Sequence, residues 1–99
     1  MYNVEKYIET CLNSILAQTF QDFEVIIVDD CSTDRSLEIA QQYRDSRIKI
    51  FRNVTNLGDA PTRNIGLTFS TGEYIFFMDS DDVFTKTALE EMYGLAKEY

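Results

Sequence analysis

Asp79, Asp81 and Asp82 place three carboxylates within four positions, directly behind the apolar run Tyr74–Met78. A short apolar run rich in aromatics reads as a buried strand. Like charges this close repel, so they require either a cation or full solvation. A second acidic pair, Asp29-Asp30, closes the run Phe23–Val28 in the same way. The chain has no histidine, which removes the commonest neutral-pH base and the commonest transition-metal ligand. A metal bound here is therefore held by oxygen, which points to magnesium, manganese or calcium rather than zinc. The bland alternative is that aspartates behind strands cap the next helix. That reading suits Asp34 and Asp82 better than Asp79 and Asp81, with Asp29-Asp30 in between.

The elements that must position these acids follow from periodicity. Val4, Tyr7, Ile8, Cys11, Leu12, Ile15 and Leu16 recur at helical spacing, which predicts a helix over 4–18, with Asn3 as its N-cap. Phe23–Asp29 is predicted as a strand. Ser32, Thr33 and Asp34 offer caps for a helix reaching about residue 45, with Leu37, Ala40 and Tyr43 on its apolar face. Arg47–Arg52 alternates enough to form a strand, and Asn53–Ala60 reads as a loop. Pro61 suits the first turn of a helix ending near Phe69. Thr71-Gly72 breaks it before a strand over 74–78. A last helix spans about 85–97, with Ala88, Leu89, Met92 and Ala96 inward.

This order, α, β, α, β, α, β, α, calls for a parallel sheet with helices on its faces. Ligands of such sheets bind beyond the carboxyl ends of the strands. Parallel strands would bring both acidic clusters to one edge, gathering up to five carboxylates around one crevice. Oxygen ligands at that density suit a hard divalent cation that bridges to phosphate. The first predicted helix has no strand feeding it. A strand is therefore expected ahead of Met1, and residues 1–99 read as one partial domain of a longer protein.

Bulk properties narrow the partners. Nine basic against seventeen acidic residues give a net charge of −8, which argues against a nucleic-acid surface and against attraction to anionic lipid. No apolar run approaches a membrane span, and no secretory signal is visible. Cys11 and Cys31 are the two cysteines, without CxxC spacing, and read as free thiols in a reducing compartment.

Tyr2-Asn3, SILAQTFQDFEVIIVDDCSTDRS over 14–36, NLGDAPTRNIGL over 56–67 and TGEYIFFMDSDD over 71–82 together resemble the family 2 glycosyltransferases. A lone DxD is a weak signal, whereas its order and spacing behind VDD-x-STD and TRN-x-G are specific, and the likeness covers the whole chain. The resemblance implies an α/β fold: a partial GT-A, Rossmann-like three-layer sandwich with a mainly parallel sheet and the first central strand missing. It implies inverting transfer of a sugar from a nucleotide diphosphate donor, a UDP-sugar, with Mn2+ or Mg2+ as cofactor. By resemblance, Tyr2 contacts the nucleobase, Asp30 accepts the uracil ring N–H, and Asn56 and Arg63 lie near the donor. Asp79 reaches the ribose or metal-bound water, and Asp81 ligates the metal. Asp29 and Asp82 are second-rank candidates. The bland reading makes Arg63 a surface helix residue and Tyr2 a frayed terminal aromatic.

The sequence departs from the family pattern in two ways. No acid can be assigned as the base that deprotonates the acceptor hydroxyl, so no catalytic residue is named. Asp59 and Pro61 stand where small residues are expected. The acceptor implied is a saccharide or lipid-linked saccharide, bound by parts outside this chain. A cytoplasmic location is implied, and the parent protein's peripheral attachment to the inner face of the membrane stays open. A slot between strands 24–28 and 74–78 would expose backbone groups and invite self-association. Two rivals remain. A receiver domain would use Asp29-Asp30 for magnesium and Asp79 as phosphoacceptor, but it needs a lysine on a later strand that nothing here supplies. A non-catalytic nucleotide-binding module would keep the donor contacts alone.

Overall fold

The computed structural model describes residues 1–72, 74 and 83–98. The predicted strand over 74–78, Tyr74 apart, and the cluster Asp79–Asp82 lie outside the described residues.

The chain folds into α1 (Ile8–Leu16), β1 (Val25–Asp29), α2 (Ser36–Gln41), β2 (Ile48–Arg52), α3 (Asp59–Phe69) and α4 (Ala88–Glu98). β1 and β2 pair in parallel, Val25 beside Ile48 through Asp29 beside Arg52. Alternation along each strand decides which helix covers which face. Val25 and Ile27 of β1 and Ile48 and Ile50 of β2 join Ile8 and Leu12 of α1 and Ile39 and Ala40 of α2 in one core. On the opposite face Gly66 brings α3 against Val28, and Phe69 stacks on Phe51 with ring centroids 4.2 Å apart. The result is the expected three-layer order, with α1 and α2 on one side of the sheet and α3 on the other. α4 docks on the end of α1: the buried Gln18 donates to the Thr85 carbonyl (2.6 Å) and accepts the Leu89 N–H (3.0 Å). Among the described residues no helix is long and apolar enough to cross a membrane. Neither Cys11 nor Cys31 forms a disulfide among the described residues.

Two helices are shorter than their periodicity suggests. α1 starts at Ile8 rather than Val4, after a turn in which the Val4 carbonyl accepts from Tyr7 and Ile8. Asn3 does not cap it; its φ of 51° turns the chain, and its side chain bonds elsewhere. α2 ends at Gln41 rather than near 45. Asp45 instead accepts the Arg47 N–H and grips the Arg47 guanidinium at 3.0 and 2.8 Å, a local bond that competes with helix continuation.

The ladder continues past β2 on the other edge of β1. Backbone groups of alternate residues in a strand point to opposite edges. Val25 and Asp29 bond to Arg47 and Asn53 beside β2, while the Val28 carbonyl and the Asp30 N–H point away and both meet Met1, at 2.9 and 2.8 Å. Met1 thus forms one rung of a parallel ladder.

Candidate functional site

The carboxyl end of β1 is polar yet as buried as its apolar body. Asp29 is 0% and Asp30 4% exposed, against 7% for both Ile27 and Val28. Buried carboxylates persist only when hydrogen-bonded or paired. Asp29 accepts from the Ser32 hydroxyl (2.5 Å) and N–H (3.3 Å), with the Arg52 guanidinium 3.6 Å away. It is a structural anchor for the turn that follows.

Asp30 has a different set of partners. Its Oδ1 accepts the Leu57 N–H at 2.7 Å and the Asn53 amide at 2.9 Å, and its Oδ2 accepts the Gly58 N–H at 2.9 Å. Gly58 can aim its N–H inward because its φ is +87°, a region glycine enters without penalty. These bonds, led by that from Leu57, hold the Asp30 carboxyl below the usual aspartate range despite its burial, so it is ionised at neutral pH. The Asn56 amide donates to the Asp30 backbone carbonyl at 3.2 Å. Residues 53–58 therefore wrap around Asp30, and α3 departs from the same point.

A second set of bonds fixes the amino-terminal segment over this end. Asn3, Val4 and Glu5 donate their N–H groups in turn to the Ser32 hydroxyl (3.0 Å), the Ser36 hydroxyl (2.7 Å) and Asp34 (3.1 Å). In return the Asn3 side chain accepts the Thr33 N–H at 2.8 Å. Asp34 also accepts the Ser36 N–H and hydroxyl at 2.9 and 2.6 Å. It supports the start of α2, as the capping reading expects, and ties down Glu5 as well. Burial pushes its carboxyl up, but the Ser36 and Glu5 bonds outweigh that and leave it low. Tyr2 is carried on this segment, next to Met1 on Asp30, and is 46% exposed. The frayed-terminus reading does not hold, because the flanking backbone is bonded on both sides.

Three of the predicted site residues, Tyr2, Asp30 and Asn56, thus converge at the end of β1. Arg63 is exposed on α3, in the turn after the first, and makes an interaction of its own. Asp79 and Asp81 lie outside the described residues. Among the described residues no cluster of three metal-binding side chains occurs. Sequence reasoning passed over Asn53, Ser36 and Thr62, and read Ser32 only as a helix cap. The register supplies the signal for Asn53: Asp29 beside Arg52 puts the next residue, Asn53, beside Asp30.

Comparison with known proteins shows the family. Residues 1–99 match the family model described as Glycosyl transferase family 2. An uncharacterized glycosyltransferase of Haemophilus influenzae is 44% identical over 93 residues, covering 92% of this chain and 37% of that protein. The poly(ribitol-phosphate) β-N-acetylglucosaminyltransferase TarS of Staphylococcus aureus is 41% identical over 102 residues, covering 99% of this chain and 18% of TarS. The crystal structure of TarS 1–349 in complex with UDP-GlcNAc superposes with a TM-score of 0.92 over 99% of this chain and 29% of that one, and its complex with UDP gives 0.91. The chain spans well under half the length of these relatives. With the match extending over every residue, and with Asp29 and Asp30 standing at the carboxyl end of β1, the chain belongs to glycosyl transferase family 2.

Proposed function

We propose that this chain is the donor-binding region of a glycosyltransferase and holds a nucleotide diphosphate sugar, most simply a UDP-sugar. The observation that carries the reading is the Asp30 carboxylate. An ionised carboxylate offers roughly four acceptor positions, and among the described residues protein donors occupy three of them. The one left, on Oδ2, suits a ring N–H of uracil. Tyr2 follows Met1, whose backbone is bonded to that of Asp30, and is exposed, so its ring would be free to stack on the base. The likeness to a protein crystallised with UDP-GlcNAc supports the same class of ligand.

In this reading Asn56 supports the loop against Asp30, and Arg63 meets diphosphate charge with its forked donors. Asp79 and Asp81 supply carboxylate oxygens only, a donor set that fits Mn2+ or Mg2+. Asp81 would ligate the ion and Asp79 would reach the ribose or a metal-bound water. When bound, such an ion acts as a Lewis acid toward the leaving diphosphate. The sugar then passes with inversion to a hydroxyl of a saccharide or lipid-linked saccharide. None of the acids of this chain is assigned to deprotonating that hydroxyl, so the chain by itself binds donor without turning it over.

The test is calorimetric titration of the chain with UDP, with and without manganese. Binding strengthened by the metal is expected, and Asp81→Ala is expected to lose that gain while keeping its far-UV dichroism. Metal-dependent binding that survives intact in Asp81→Ala would remove Asp81 as the ligand. The edge of β1 carrying Met1 is also proposed to pair with a second copy of the chain, since among the described residues Met1 alone bonds there. Light scattering at micromolar concentration checks this; a monomer would refute it.

A further inference from the structure

Asn53 sits where the loop leaves β2, 8% exposed. Its backbone continues the ladder, donating to the Asp29 carbonyl at 2.8 Å, and its carbonyl accepts the Cys31 thiol at 2.9 Å. Its side-chain amide has two hydrogens, and both are committed. One goes to Asp30 Oδ1 at 2.9 Å, the other to the Thr62 hydroxyl oxygen at 3.0 Å. The chemistry fixes which way the amide faces. A carboxylate only accepts, so the NH2 end must point at Asp30. Thr62 is itself buried, 7% exposed, on α3. The helix therefore holds Asn53, and Asn53 holds Asp30.

The consequence concerns which carboxylate oxygen is left. Leu57 and Asn53 together fill both acceptor positions of Oδ1, whereas among the described residues Gly58 alone donates to Oδ2. We propose that Asn53, backed by Thr62, is a positioning residue that saturates Oδ1 and so confines the open acceptor to Oδ2, which selects nucleobases carrying an imide N–H. This rests on the reading that Asp30 meets the base. Uracil and thymine donate at ring position N3; cytosine presents a lone pair there, which a carboxylate repels. Without Asn53, Oδ1 regains an open acceptor and the carboxylate is free to rotate, so discrimination weakens along with affinity. A merely structural Asn53 would behave differently. Loosening the 53–58 loop alone would weaken uridine and cytidine nucleotides alike.

The experiment titrates the whole chain and its Asn53→Ala, Thr62→Val and Asp30→Ala variants with UDP and with CDP in saturating manganese, with far-UV dichroism reporting the fold. The wild-type chain is expected to prefer UDP. Asn53→Ala is expected to cut the UDP-to-CDP affinity ratio about tenfold, the size expected for a hydrogen bond to a charged group, and Thr62→Val to cut it less. A folded Asn53→Ala that keeps the ratio overturns the proposal, as does one that weakens both nucleotides equally. If Asn53→Ala does not fold, Thr62→Val decides on the same criterion. An unchanged ratio in Asp30→Ala sinks the donor-site reading itself; a ratio lost in Asp30→Ala but kept in Asn53→Ala sinks the positioning role alone. Should the wild-type chain bind neither nucleotide, the donor-site reading fails. The hold of Asn53 on Asp30 is then read from the Asp30 carboxyl carbon by NMR, where Asn53→Ala must raise the titration midpoint, and an unmoved midpoint refutes it.

Discussion

β1 is one strand with two kinds of interior. Ile27 and Val28 are buried by side chains that attract without direction; Asp29 and Asp30, next along the strand and at least as buried, are held by hydrogen bonds with fixed donors. Apolar burial scales with area and tolerates small rearrangements. A buried carboxylate tolerates almost none, because each lost donor leaves a charge undersolvated. The body of β1 thus sets whether the chain folds, and its end sets where a few oxygens point. The cluster behind the body is small, Ile8, Leu12, Ile27 and Ala40, whereas the end takes its donors from Ser32 and from residues 53–58.

The harshest way to break this contrast is to hollow out the body. Leu12 is 1% exposed at the centre of the core, and Leu12→Ala is expected to cost about 2–5 kcal/mol through lost transfer energy and the cavity left behind. For a domain of this size that lowers the melting temperature by roughly 10–20 °C or more, and nucleotide binding falls with the fold. Thermal melts followed by far-UV dichroism measure it. A shift of only one or two degrees would mean that the polar end, rather than the apolar body, carries the stability.

The contrast also explains what could be read in the sequence. The body was legible: alternation and helical spacing give the parallel order, and the inward sets Val25, Ile27, Ile48 and Ile50 follow from period two. The acids at the end of β1 were legible as a group, and Tyr2, Asp30 and Asn56 do come together. Their partners were not. Asn3 has the composition of a helix N-cap, but its acceptor is used by Thr33, thirty residues on. Asn53 looks like any loop amide until register places it beside Asp30. α2 stops short because Asp45 turns to Arg47, a choice that helical periodicity does not register. Directional bonds depend on which distant segment arrives, and apolar patterning carries no record of that. Asp79 and Asp81 stand outside the described residues, and residue type and family resemblance carry their reading.

A gentler probe separates the two interiors by protons. Hydrogen bonds from Leu57, Asn53 and Gly58 hold Asp30 low, and bonds from Thr71 and Lys49 do the same for Glu24. The Arg47 guanidinium and N–H bring Asp45 from the ordinary 3.8 to about 2. Each carboxyl therefore titrates lower in the folded chain than in the unfolded one. Its contribution is present above the unfolded value and is lost as pH falls through the folded value. Ile27, Leu12 and their neighbours contribute nothing that titrates. Stability is accordingly expected to hold level from pH 7 to about 5 and to fall between about 4 and about 2, where the polar anchors are protonated while the apolar body is unchanged. Asp45→Asn is expected to flatten the lowest part of that decline. The variant leaves the end of β1 untouched, so UDP affinity at pH 7 should match the wild-type chain. Urea midpoints taken across this range provide the measurement. A midpoint that stays constant from pH 5 to pH 2 would show that these carboxylates gain no stability from their donors, and the polar anchors would then orient without stabilising.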